Sequence, residues 1–227
     1  MRPTNRTTVA QLGRGGKAPV FTGSIMSYDP GLATGALAVV RFDRTRAWFV
    51  ATATWEPLPA WNVPTRLSRL REWLDWFRDS DSSFATDISV FAYEDQTFSG
   101  MPRSGVAGRT NANARQPMMA QSVALGWAAT WAPTIVTVQP LAVRKAALGT
   151  AARFRAPSGL GEREVARARR EHDKRVNAAA ERALGRLVGG LPEGLSVHEL
   201  DAVAICLAAR AKMGREGASF ANPGRRP

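Results

Sequence analysis

Ser24-Ile25-Met26-Ser27-Tyr28-Asp29-Pro30-Gly31-Leu32-Ala33-Thr34-Gly35-Ala36-Leu37-Ala38-Val39-Val40 carries the strongest structural signal in this chain. An apolar run carries one carboxylate, Asp29, into a turn punctuated by Pro30, Gly31 and Gly35, and a second apolar run leaves it. The pattern predicts strand, tight turn, strand. A strand that ends in an aspartate beside a glycine turn is a place to hold a metal ion or a phosphate. Residues 24–29, 36–42 and 47–55 read as three successive strands. The last two are joined by the polar turn Asp43-Arg44-Thr45-Arg46, so the three form an antiparallel meander.

Leu67, Leu70, Trp73, Leu74 and Phe77 recur at three and four residues behind Pro64, the signature of an amphipathic helix. A strand over 86–93 follows, then a Gly- and Arg-containing loop over 95–111. A helix over 118–130 and a buried strand over 134–138 come next. Beyond Pro140 the chain reads as helical over 141–149, 161–187 and 196–213. Meander, helix, strand, helix, strand predicts an α/β fold around a mixed five-stranded sheet flanked by helices. Residues 1–21 and 214–227 lack apolar periodicity and read as tails, leaving 22–213 as one domain with a basic helical insertion at about 150–175.

The chain has 227 residues, 44% of them hydrophobic, and a net charge of +12. That is enough to bury one good core and too little for two large domains. Residues 1–20 hold four basic groups and no acidic ones, 141–186 hold twelve against five, and 210–227 hold five against one. The rest of the chain is therefore near −3. Charge concentrated in this way favours a polyanionic partner. Within 161–187, eight basic residues face five acidic ones, more than a merely solvated helix needs. The single cysteine, Cys206, lies in an apolar helical pattern, which excludes a disulfide framework and points to a reducing compartment. With no signal-like or membrane-spanning run, the expectation is a soluble, cytoplasmic protein in a bacterial cell or a phage-infected host.

Three acidic positions share one logic. Asp29 closes the first strand, Glu94 closes the run Ile88-Ser89-Val90-Phe91-Ala92-Tyr93, and His198 with Asp201 opens the final apolar helix. Together they suggest one metal site built from three distant segments. Each has an ordinary alternative. Asp-Pro-Gly is a common turn, a glutamate at a strand end is commoner still, and His198 with Asp201 fits a helix opening with Ser196 as N-cap and Glu199 in its first turn. Asp95 and Glu199 flank the candidates, but strand and helix geometry would point them elsewhere.

The joint pattern resembles the RuvC family of Holliday-junction resolvases, within the RNase H-like superfamily. The match is carried, in family order, by Ile25 to Gly35 with its Asp-Pro-Gly turn, by Val90-Phe91-Ala92-Tyr93-Glu94, and by His198-Glu199-Leu200-Asp201-Ala202-Val203-Ala204. It covers about residues 22–210. The resemblance implies an RNase H-like fold and a homodimeric, metal-dependent endodeoxyribonuclease that cuts four-way junctions symmetrically. Asp29, Glu94, His198 and Asp201 would be catalytic and metal-binding, with two Mg2+ per site and Mn2+ able to substitute. Histidine takes the first acidic position of the last helix, as in some members, and imidazole tilts the preference toward Mn2+. Phe98 matches an aromatic wedge. Arg103, Arg109, Arg144, Lys145 and Lys174 are the candidate DNA contacts, and the basic insertion before Lys174 departs from the family pattern. A helix over 116–130 with Met118, Met119, Leu125 and Trp127 is a candidate dimer face. Three alternatives stay open: a broader nuclease of forks and flaps, a DNA-binding protein without catalysis, and an actin-like ATPase phosphate binder. The last would need a duplicated half that this chain lacks.

Overall fold

The computed structural model describes residues 20–80, 88–96, 112–148, 158–159 and 161–220. Ten elements follow in order: β1 (Gly23–Asp29), β2 (Gly35–Phe42), β3 (Ala47–Trp55), α1 (Val63–Asp79), β4 (Ile88–Glu94), α2 (Ala112–Ala128), β5 (Thr134–Val138), α3 (Pro140–Leu148), α4 (Glu162–Leu187) and α5 (Val197–Phe220). The strands form one sheet in the order β3-β2-β1-β4-β5. β1, β2 and β3 are the expected antiparallel meander, and β4 and β5 add in parallel to β1. The α/β fold with a mixed five-stranded sheet is as the sequence predicts.

Strand alternation sorts side chains onto two faces, each covered by helices. Met26, Tyr28, Leu37, Val39, Phe91 and Tyr93 pack under α1 and α2 with Trp55, Leu70, Leu74 and Trp127. Ile25, Ala36, Ala38, Val40, Val90 and Ala92 pack on the other face beneath α3, α5 and the C-terminal end of α4. That second face is rich in alanine, and Ala202, Ala204, Ala208 and Ala209 of α5 meet it. Small residues on both surfaces let α5 approach the sheet closely enough for hydrogen bonds, described below.

Four expectations need correction. β5 is an edge strand, with Thr134 and Ile135 exposed and Ile135 at 39%, so it is not a fully buried strand. Its run Thr-Ile-Val-Thr-Val is apolar enough to look two-sided, but only Val136 and Val138 reach the core. Trp127, read as part of a dimer face, has no exposure and donates from its indole nitrogen to Asp75 at 2.8 Å, whereas Met118 and Met119 of the same helix are exposed. α5 runs past residue 213 to Phe220, because Gly214 and Gly217 only weaken a helix that Pro223 would have been the first residue to stop. Phe21, assigned to the N-terminal tail, packs edge-on against Phe42 at 6.3 Å between ring centres. Among the described residues, no helix is long and apolar enough to cross a membrane.

Candidate active site

Asp29 is the last residue of β1 and Glu94 the last of β4. The two strands are parallel, with Tyr28 opposite Tyr93, so both carboxylates leave the sheet at the same end. Counting back by twos from each, Ser27 and Ile25, Ala92 and Val90 share the α5 side of the sheet, which places Asp29 and Glu94 on that side too. α5 begins at this end.

The approach of α5 is fixed by a ladder of contacts. Cys206 donates from Sγ to the Ile25 carbonyl at 3.3 Å, Ser27 donates from Oγ to the Ala202 carbonyl at 2.5 Å, and Asp29 Oδ2 accepts from His198 Nδ1 at 2.7 Å. Each rung advances two residues on the strand and four on the antiparallel helix. Two strand residues rise about 6.6 Å and four helical ones about 6.0 Å, so the spacings nearly coincide. The buried Ser27 hydroxyl and Cys206 thiol thus set the register that delivers His198 to Asp29. Burial pushes the Cys206 thiol up to about 12, so it packs as an apolar group with a weak donor.

The first turn of α5 is also tied to β3. Ser196 Oγ accepts from the Glu199 N–H at 3.2 Å while Glu199 Oε2 accepts from the Ser196 N–H at 2.8 Å, a reciprocal cap. Glu199 Oε1 accepts in addition from the Thr52 hydroxyl at 2.8 Å. Burial works against the Glu199 carboxylate, but these hydrogen bonds outweigh it and hold its pKa below the usual value. Glu199 is therefore a structural group, and its neighbour His198 is the one aimed at Asp29.

Asp29 is buried, with 9% of its side chain exposed against 43% for His198. A carboxylate only accepts, so Nδ1 of His198 carries the proton and Nε2 is the acceptor of the neutral ring. The hydrogen bond to Asp29 raises the His198 pKa above its ordinary 6.5; partial burial opposes the shift, and the charges of Asp29 and Asp201 add to it. Asp201 lies one turn along α5 from His198. Glu94 Oε2 accepts from the Gln96 side-chain amide at 3.1 Å, and Gln121 of α2 accepts from the Gln96 N–H at 3.0 Å. Asp95 turns elsewhere, toward the Gln139 amide at 3.3 Å.

A cleft of about 460 Å³ opens beside the pair, lined by Pro30, Leu32, Thr34, Gln116, Pro117 and His198 among others. The turn that forms its wall has no room for side chains: a Cβ at Gly31 would stand 1.6 Å from the Thr34 carbonyl oxygen, and one at Gly35 would stand 2.9 Å from that of Asp29. Three carboxylates and an imidazole at one sheet end are the donor chemistry of a hard divalent ion. Among the described residues, no three His, Cys, Asp or Glu side chains stand as a preformed metal cluster. Asp29 is closed onto His198, and an ion on that carboxylate has to compete with the imidazole.

The structure thus brings Asp29 and His198 into contact, places Asp201 within their electrostatic reach and Glu94 on the adjoining strand end. Lys145 on α3 and Lys174 on α4 are exposed and do not border the cleft, and Arg144 lies on α3. Phe98, Arg103 and Arg109 fall outside the described residues. Thr52, Ser27 and Gln121 escaped the sequence reading. The alternation of small residues with Ser27 in β1 and β2 was the available signal for a closely packed helix.

Two solved structures resemble this fold over nearly their whole length. One is Thermus thermophilus RuvC in complex with a Holliday junction substrate, at a TM-score of 0.58 over 85% of this chain and 96% of that one. The fold is that of RuvC. A second Thermus thermophilus RuvC structure matches at a TM-score of 0.54 over 84% of this chain and 96% of that one, and both are 18% identical in sequence. No protein-family model matches the chain, and no curated protein matches it by sequence. The resemblance to RuvC read from three short motifs therefore holds at the level of the fold.

Proposed function

We propose that the chain is a structure-selective DNA endonuclease that resolves four-way junctions, acting as a homodimer with two divalent ions in each active site. The observation that carries this reading is the Asp29–His198 pair at the open end of β1, beside Glu94 and one helical turn from Asp201, in a RuvC-like fold. Asp29, Glu94 and Asp201 would hold the ions through oxygen, with His198 adding a nitrogen. Mg2+ suits the carboxylates, and the imidazole makes Mn2+ an effective substitute. When bound, such ions supply a nucleophilic water at neutral pH and neutralise the leaving oxygen.

The remaining roles belong to the chain. Asp29 orients the His198 ring and fixes its tautomer, which presents Nε2 to the cleft as a proton acceptor. Gly31 and Gly35 keep the turn low, so a backbone phosphate can approach Asp29 without meeting a side chain. The basic excess of 141–186, with Lys145 and Lys174 exposed, binds DNA backbone together with Arg103, Arg109 and Arg144, and Phe98 wedges at the branch point. Symmetric cuts in two strands require two equivalent sites about a two-fold axis.

The test is cleavage of a labelled four-way junction, a fork and a linear duplex of matched sequence, with Mg2+ or Mn2+, by wild type and Asp29→Asn. Paired symmetric nicks in the junction, lost by more than about 100-fold in the variant, support the proposal, since even outer partners of a metal site cost 10–100-fold. Equal cutting of forks makes the protein a general branched-DNA nuclease, and tight binding without cutting makes it a non-catalytic binder. Light scattering should give twice the 24.5 kDa chain mass.

A further inference from the structure

We propose that the outer face of α4 is a binding surface for the phosphate backbone of a duplex DNA arm. The proposal rests on DNA being the partner, as above, and is independent of catalysis. α4 is 26 residues long, yet Leu184 near its C-terminus is its one buried residue. Val165, Ala168, His172 and Val176 recur at three and four residues and are half-buried, so they mark the face turned inward. Arg163, Arg167, Arg170 and Lys174 recur at the same intervals, two residues out of phase. At about 100° per residue this sets them on the opposite side of the helix, and all four are exposed. Between Arg163 and Lys174 the acids keep to the flanks: Glu162 and Asp173 fall on one, Glu164 and Glu171 on the other, while the half-buried Glu181 returns to the line only seven residues beyond Lys174. Arg167 meets Glu171 at 3.2 Å, but at 80% and 61% exposure that contact holds little.

A solvated helix gains from alternating signs along a line. Here three successive like-charged pairs stand at i,i+4, i,i+3 and i,i+4, each unfavourable by about 0.2–0.5 kcal/mol in an isolated helix. Glu164, Glu171 and Asp173 offset these pairs from the flanks at i,i+3 and i,i+4, but a polyanion laid along the line itself meets only cations. From Arg163 to Lys174 the line spans about 16 Å. Duplex DNA presents a charge about every 1.7 Å of its axis, so a line of that length lies against several phosphates at once. The guanidinium and ammonium groups are suited to phosphate and carry no base information, so the surface adds affinity without sequence preference.

The experiment is fluorescence anisotropy of full-length protein with a labelled linear duplex and a four-way junction, in EDTA, from 50 to 200 mM KCl. Wild type is compared with R163Q/R167Q/R170Q/K174Q and with R169Q/R175Q/R182Q/R186Q, which removes the same charge from the same helix off the line. The first variant is expected to lower the slope of log K against log salt by about 3.6, from roughly 0.9 for each of four phosphate contacts, and the second by less than about 1. Equal loss in the two variants, or none in the first, overturns the proposal. If the first variant loses helix content by circular dichroism, the four single substitutions are read instead, each expected to lower the slope by about 1. Because binding is read without metal, a wild type that binds DNA and cuts nothing defeats the nuclease reading alone.

Discussion

Replacing Gly31 by alanine should unfold the site before it reaches the chemistry. A Cβ there would lie 1.6 Å from the Thr34 carbonyl oxygen and 2.6 Å from its carbon. Gly31 is not among the residues with positive φ, so the obstacle is contact and not backbone conformation. Both atoms are main chain, and no rotamer change relieves them. Restoring a tolerable separation of about 3 Å means moving the Thr34 peptide by more than 1 Å, which opens the turn between Asp29 and Gly35. Forced overpacking costs about 1–3 kcal/mol, and a clash with backbone belongs at the upper end. For a chain of this length each kcal/mol lowers Tm by about 2–4 °C, so a fall of about 6–12 °C is expected. Gly126, on the exposed side of α2 with nothing within 4 Å of its would-be Cβ, is the control. Alanine there should gain about 0.5–1 kcal/mol and raise Tm. Thermal melts by circular dichroism in metal-free buffer read both variants. A Gly31→Ala protein melting within about 1 °C of wild type would mean that the turn absorbs the added methyl without moving the Thr34 peptide.

Two further substitutions test the cap of α5 at the site and the β2–β3 turn at the far end of the sheet. Glu199→Ala removes the reciprocal cap with Ser196 and the bond from Thr52, and should cost about 2 kcal/mol in urea titration; a loss under about 0.5 kcal/mol would mean that α5 is positioned by its apolar face alone. Asp43 accepts from the N–H groups of Arg46 and Thr45 at 2.5 and 2.6 Å, which hold its pKa below the usual 3.8, the bond from Arg46 most. A depressed folded value means that its contribution is complete above about pH 3.8 and lost as pH falls through the folded pKa. Asp43→Ala should therefore melt below wild type at pH 7, and the gap should close as pH falls below 4; a gap constant from pH 7 to 3 would contradict this.

The fold was legible where local pattern alone decides it. β3 begins and ends at Ala47 and Trp55 as read, because the turn Asp43-Arg44-Thr45-Arg46 and Glu56 bound an uninterrupted run. The edge position of β5 was not legible, since Thr134 to Val138 would read the same with a strand on either side, and parallel pairing depends on partners distant in sequence. Trp127 shows the same limit: periodicity places it with Met118 and Met119 on one helix, but contact with Phe91 at 5.7 Å and Trp131 at 5.0 Å decides which side is core. In the site, Asp29 and His198 were legible as members of one site built from distant segments, and the direct hydrogen bond that closes one onto the other was not.

That contact follows from register more than from either residue. Ile25, Ser27 and Asp29 step along β1 by two, while Cys206, Ala202 and His198 step back along α5 by four. The mismatch per step, about 6.6 Å against 6.0 Å, is small enough for three rungs and would grow beyond them. Every rung needs a short side chain so that the helix can sit close, which is why a serine, a cysteine and alanines occupy the interface. A larger residue at Ala202 or Cys206 would lift α5 and withdraw His198 from Asp29 even though neither catalytic candidate had changed. One residue inserted between His198 and Ala202 would swing the imidazole by about 100°. The chemistry at the open end of the sheet is thus set by the packing beneath it, and variants of the buried ladder should alter His198 before they alter the fold.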